Sequence, residues 1–144
     1  MAITDDKPLS LVHILSNRIG RAFYSEVETT FGVTIAEWRV MLTLASQPGV
    51  SAAEITNSWA MEKMAVNRAI QRLIDNGNVS RSRDPEDGRS YQLSLTVKGR
   101  KLYARIAPAA NKRYAEIISS VSNEELDIVV AALQKMIVRA EELN

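Results

Sequence analysis

Arg81-Ser82-Arg83-Asp84-Pro85-Glu86-Asp87-Gly88-Arg89-Ser90 sets three arginines around a Pro/Asp/Gly turn, and the alternating run Tyr91-Gln92-Leu93-Ser94-Leu95 follows it. Turn residues flanked by runs of period two predict a β-hairpin, with strands over Val79–Arg83 and Tyr91–Leu95 and a tip at 84–90. Arginines on an exposed tip gain nothing from a core. They gain a great deal from a phosphate backbone or a minor groove. The fold therefore turns on whether the chain supplies a helix beside this hairpin that could enter a groove.

Helix punctuation answers that question. Thr34…Glu37, Ser51…Glu54 and Ser122…Glu125 are capping boxes, in which the hydroxyl accepts from an orphan N–H and the glutamate reaches back to the cap residue. Just upstream of the hairpin, a helix starting near Glu62 ends at Asn76-Gly77, with Gly77 as a left-handed cap and Val66, Ala69, Ile70, Leu73 and Ile74 facing inward. A short helix from Ser51 to about Trp59 precedes it, separated by a few residues around Ala60-Met61. Before that, a helix after Thr34 carries Trp38, Met41, Leu42 and Ala45 and stops at Gln47-Pro48-Gly49. The first helix begins near Pro8, carries Leu11, Val12, Leu15, Ile19 and Phe23, and ends before Gly32.

Downstream of the hairpin, Thr96 is placed to cap a long helix with Gly99 in its first turn, and Pro108 should kink or divide that helix. A last helix follows Ser122 with a wide apolar stripe of Leu126, Val129, Val130, Leu133, Met136 and Ile137. Two short, tightly joined helices followed by a basic hairpin form a winged helix-turn-helix. The expected fold is mainly α with a small β-hairpin wing, flanked by N- and C-terminal helices.

Composition narrows the function classes. The chain has 144 residues, enough for one domain that buries a core without staples. With no cysteine and a single histidine, His13, thiolate zinc sites, disulfides and cysteine nucleophiles are excluded, and no cofactor is expected. A serine elbow and a phosphate loop are also missing, so nothing points to an enzyme. Residues 1–8 lack a basic flank followed by an apolar stretch, and no apolar run approaches membrane-spanning length. The expected compartment is the cytoplasm, with no membrane partner. Charge is distributed unevenly. Residues 61–105 hold ten basic and five acidic side chains, a net +5, while the remainder holds eight basic and twelve acidic, a net −4. A basic segment carried on acidic flanks suits a module that faces nucleic acid.

The stretch Asp84-Pro-Glu-Asp87-Gly-Arg89-Ser-Tyr-Gln-Leu93-Ser-Leu95-Thr96-Val-Lys-Gly99 resembles the wing signature, and the start of the following helix, of the MarR (multiple antibiotic resistance regulator) family of bacterial transcription factors. Helix order and length agree with that family over nearly the whole chain. The family's turn often reads Asp-Arg-Arg where this chain has Asp87-Gly88-Arg89. The resemblance implies a single domain over 1–144, with dimerisation helices in 1–31 and 100–144 and a DNA-binding lobe over 34–97. It also implies a homodimer on a pseudo-palindromic double-stranded operator, acting as a repressor released by a small aromatic or anionic ligand.

Within that frame the helix from Glu62 is the recognition helix. Its outward face carries Lys63, Met64, Asn67, Arg68, Gln71 and Arg72, and Asn, Gln and Arg are the side chains that pair bidentately with base edges. The alternative for Arg72 is an ion pair with Glu62 or Asp75. On the wing, Arg89 matches the family position that approaches the minor groove, and Asp87 matches the acidic partner that orients its guanidinium. Arg81 and Arg83 lie on one side of a strand and are phosphate candidates, as are Ser51 and Ser90. His13, Arg18, Arg21 and Trp38 are the effector-binding candidates, since cations beside an aromatic ring suit an aromatic carboxylate. For each of these four the competing reading is core or interface packing. The alternative for the whole chain is a winged-helix protein-interaction module without an operator.

Overall fold

The computed structural model describes residues 7–144, so the reading of the N-terminal stretch lies largely outside the described residues. Helix α1 (Lys7–Phe23) continues through a π-helical turn (Tyr24–Glu28) into a short α2 (Thr29–Phe31), which Gly32 ends in the left-handed region at φ +68°. Helices α3 (Ile35–Ser46), α4 (Ala52–Trp59) and α5 (Lys63–Asp75) follow, then strands β1 (Val79–Arg83) and β2 (Tyr91–Leu95), then α6 (Val97–Ile118) and α7 (Asn123–Glu142). The chain divides into two compact units, the first ending at Ala110 and the second spanning Asn111–Asn144.

Local chemistry explains most boundaries. Ser51 and Ser122 form complete capping boxes with Glu54 and Glu125. Thr34 forms half of one. Its hydroxyl accepts from the Glu37 N–H at 3.1 Å, but the Glu37 side chain is buried and turned toward Arg72. Of the two outcomes expected at Pro108, a kink or a division, the division does not occur: helix α6 runs through it. Proline removes one N–H and displaces the carbonyl four residues earlier, and here both Pro108 and Ala104 face solvent, where water can take that carbonyl.

The core belongs to the first unit and centres on α3. Trp38 is fully buried, stacked on Tyr103 at 5.1 Å between ring centroids and tilted against Phe23 at 6.4 Å. Val40 and Leu44 are buried with Trp38 and Met41, whereas Leu42 is half-buried and Ala45 exposed. An element packed on several neighbours, here α4, α5 and β2, buries more than one face and loses a simple stripe. The inner face of α5 follows expectation, with Val66, Ala69, Ile70 and Leu73 buried.

Two junctions hold the hairpin against the helices. Backbone bonds link Gly49 N to Leu93 O (2.8 Å) and Leu93 N to Val50 O (3.0 Å), so the start of α4 lies beside β2. At the hairpin base, Thr96 N donates to Asn78 O (3.0 Å) and Thr96 Oγ1 to Gly77 O (2.6 Å). The same hydroxyl accepts from Gly99 N (3.0 Å), which caps α6 as expected. These bonds join the end of α5, the start of β1 and the start of α6.

Apolar faces on α1 and α7 are left open. Leu9, Leu11, Val12, Ile14 and Leu15 are about half exposed on α1. On α7, within the second unit, Ile128, Val129, Val130, Ile137 and Val138 are exposed and no residue is buried.

Candidate nucleic-acid interface

Helix α5 presents Lys63, Met64, Asn67, Arg68, Gln71 and Arg72 on its exposed face, because its buried residues occupy the opposite face at helical spacing. Among the described residues, no side-chain bond engages Lys63, Asn67 or Arg68. Gln71 Nε2 donates to Asp75 Oδ1 at 2.8 Å. Arg72 pairs with neither Glu62 nor Asp75. Its Nη1 lies 3.2 Å from Glu37 Oε1, an ion pair that lacks hydrogen-bond geometry.

Glu37 has its carboxyl pushed above the ordinary value of 4.5 by burial, with Arg72 and the Thr34 hydroxyl acting in the opposite direction. The folded chain therefore binds this proton more tightly than the unfolded chain. Stability from this group is greatest below 4.5 and falls as pH rises from there through the raised folded value. Glu37→Gln should flatten that limb in urea-unfolding midpoints measured over about pH 4–8.

The hairpin pairs Val79 with Leu95, Arg81 with Leu93 and Arg83 with Tyr91. Paired residues share a face, so one face of the hairpin is buried at its base (Val79, Leu93, Leu95) and turns cationic toward its tip. There the Arg81 and Arg83 guanidinium groups lie 5.0 and 5.9 Å from the Tyr91 ring centroid. Arg83 Nη1 also donates to Gly88 O at 3.0 Å, bracing the loop.

The tip uses its carboxylates to shape backbone. Asp84 Oδ1 accepts from the Glu86 and Asp87 N–H groups at 2.8 and 3.3 Å. Asp87 Oδ1 accepts from the Arg89 backbone N–H at 3.0 Å. The expected contact of Asp87 with the Arg89 guanidinium is not formed, because the carboxylate closes a local Asx-type turn instead. Asp87 thus positions Arg89 through its main chain and leaves the guanidinium exposed.

A groove of about 450 Å3 separates these parts. Ser51 from the start of α4, Lys63, Asn67 and Gln71 from α5, and Arg81 and Ser90 from the hairpin all line it. Six polar or cationic side chains named from sequence therefore converge on one surface, while Arg89 stands at the tip and Arg68 on the outer face of α5.

The effector candidates do not converge. Trp38 is core, enclosed by Phe23 and Tyr103, and cannot wall a pocket. His13, Arg18 and Arg21 are exposed on α1 and line none of the crevices of the first unit. One of those crevices, about 680 Å3, is walled by Thr43, Trp59 and Tyr103, with Trp59 Nε1 donating to Thr43 Oγ1 at 2.9 Å and Arg39 over the Trp59 ring. Sequence reading missed Trp59 because its helix looked like a scaffold. It missed Glu37 because a capping glutamate is ordinarily exposed.

The family model of the MarR family matches residues 31–90. An HTH-type transcriptional repressor of Mycobacterium tuberculosis H37Rv is 29% identical over 125 residues, covering 85% of this chain and 88% of that protein. The crystal structure of a MarR/EmrR family transcriptional regulator from Acinetobacter sp. ADP1 superposes with a TM-score of 0.89 at 23% identity, over 99% of both chains. BpsR of Bordetella bronchiseptica, solved to explain regulation of its DNA binding by 6-hydroxynicotinic acid, superposes with a TM-score of 0.79 at 24% identity, over 90% of this chain and 98% of that one. At these identities the two solved structures establish a shared winged-helix fold.

Proposed function

We propose that the chain is a member of the MarR family, whose members are transcription regulators and not enzymes, and that it is a homodimeric, sequence-specific DNA-binding repressor released by a small aromatic or anionic effector. The observation that carries the reading is the groove between α4, α5 and the hairpin, where Lys63, Asn67, Gln71, Arg81 and Ser90 face one surface. A major groove admits a helix, and such a helix reads bases with its N-terminal half, which favours Lys63, Met64, Asn67 and Arg68. Arg72 is the least available of the α5 set, because its guanidinium serves Glu37. Arg81, Arg83, Arg89 and Ser90 fit phosphate and minor-groove contacts.

The half-exposed apolar face of α1, and separately that of α7, are what a second copy would cover. A two-fold dimer would place two copies of α5 in major grooves one helical turn apart, on a pseudo-palindromic operator. His13, Arg18 and Arg21 would reach an effector only across that dimer, since within one chain they face solvent. The regulated relative from Bordetella supports the effector reading. Among the described residues no helix is long and apolar enough to cross a membrane, and a repressor of this kind acts in the cytoplasm.

The wing gives two tests. Arg89→Ala should weaken operator binding and lower the slope of log K against log salt by roughly 1, the signature of one lost phosphate-type contact. An unchanged affinity and slope would remove Arg89 from the interface. Gly88→Arg should act in the opposite direction. An added Cβ at Gly88 meets nothing within 4 Å, so the wing accepts the residue common at this place in the family. The slope should rise by about 1 in fluorescence-anisotropy titrations, without loss of stability.

A further inference from the structure

Glu37 is the one buried charged side chain among the described residues, and only 2% of its side chain is exposed. It sits on α3, yet its partner belongs to α5. Arg72 Nη1 lies 3.2 Å from Glu37 Oε1, while the Arg72 side chain is otherwise 58% exposed. The contact lacks hydrogen-bond geometry, so attraction between charges is what holds Arg72 there.

Other charges reach Glu37 from each element around it. Burial disfavours its ionised form most, Arg72 and the Thr34 hydroxyl favour it, and Glu28 of the π-helical turn disfavours it. From α6, Lys98, Lys101 and Arg105 line the same crevice as Glu37. Lys98 Nζ donates to Asn76 O, and the Arg105 guanidinium lies over Phe31, 5.4 Å from the ring centroid.

A carboxylate this buried does not stay charged without its cation. A phosphate that draws Arg72 away therefore leaves a proton on Glu37, and a proton on Glu37 sets Arg72 free. Arg72 stands one helical turn beyond Arg68 on the exposed face of α5. It lies past the half of the helix that reads bases, where contacts go to the DNA backbone.

We propose that Glu37 and Arg72 form a proton-operated latch on α5: a charged carboxylate holds Arg72 on the protein, and a protonated one releases it to a DNA phosphate. The inference rests on α5 facing DNA and adds control by acidity to that reading. Each engagement of Arg72 takes up the proton at the Glu37 carboxyl, so by linkage acid strengthens binding. Because burial raises the Glu37 value above 4.5, the latch opens as pH falls through that raised value and closes above it.

Anisotropy titration of a mixed-sequence duplex at several salt concentrations, over about pH 5–8, tests it, since a phosphate contact is independent of sequence. On acidification the unaltered chain should gain roughly 3- to 10-fold in affinity and roughly 1 in salt slope relative to Glu37→Gln. Glu37→Gln should show the higher affinity and slope already at the alkaline end, Arg72→Gln the lower ones throughout, and the double variant should match Arg72→Gln. Carboxylates elsewhere are common to all four proteins and cancel. Calorimetry in buffers of different ionisation enthalpy should find up to about one proton more taken up by the unaltered chain than by Glu37→Gln.

The proposal is overturned if the unaltered chain and Glu37→Gln respond alike to pH, or if Arg72→Gln keeps the full gain in acid. It is also overturned if the response survives in Glu37→Gln and disappears in His13→Gln, which would assign it to α1. Should Glu37→Gln fail to fold, the proton uptake of the unaltered chain against the exposed Arg72→Gln variant still decides. A chain that binds no duplex at any pH overturns the operator reading as well. Binding without these differences leaves that reading standing and removes only the latch.

Discussion

Replacing Asn67 and Arg68 together by alanine should lower affinity for the operator by roughly 30-fold to 10⁴-fold, on the order of 2–6 kcal/mol for two base-edge contacts. Both side chains stand on the exposed face of α5, toward its N-terminal half, with no side-chain bond to lose among the described residues. Alanine is also the better helix former, so the fold should keep its stability to within about 0.5 kcal/mol. The same variant titrated on a non-specific duplex should lose much less, because that binding depends on phosphates. A large and equal loss on both duplexes would make Asn67 and Arg68 phosphate contacts. No loss on either would remove α5 from the groove.

Gly99→Ala should be the most damaging single methyl group in the first unit, costing more than about 4 kcal/mol and lowering the yield of folded protein. Gly99 is in the first turn of α6, and a Cβ there would fall on the Asn78 carbonyl oxygen and 2.9 Å from its carbon. That carbonyl cannot move aside, because it accepts the Thr96 N–H that starts α6, while the Asn78 N–H is held by Leu73 O. The clash lies where α5, β1 and α6 meet, so whatever folds should also hold the wing out of register with the recognition helix. Gly88→Ala is the control. With open space around its Cβ, it should change urea-unfolding midpoints by less than about 0.5 kcal/mol equivalent.

These two cases show what sequence reveals and what it conceals. The hairpin bounds, the cap at Thr96 and the inward face of α5 were legible because each depends on local chemistry: turn residues, an oxygen placed to cap, an apolar period. Gly99 was visible as a glycine in a first helical turn, but not as a position where two backbones nearly touch, since the partner lies 21 positions earlier. Glu37 misled for the same reason. Its spacing from Thr34 fits a capping box, yet a long-range pair with Arg72 and burial under α5 decide where its carboxylate points. The π-helical turn after α1 left no sequence signal, and the helical spacing of Leu11, Val12 and Leu15 did not reveal that they stay exposed within one chain, because the pattern of an apolar stripe is the same whether its partner is the same chain or another. On the wing, the residues were identified correctly while the bond between them was not. Asp87 reaches the Arg89 main chain, a choice set by loop geometry rather than by charge.

Selection of duplexes from a random pool by the purified chain tests the central claim most directly. The account predicts enrichment of two inverted half-sites with centres about 10–10.5 bp apart, one for each copy of α5 in a two-fold dimer. A pool that stays unenriched, or that yields isolated half-sites without symmetry, would contradict it.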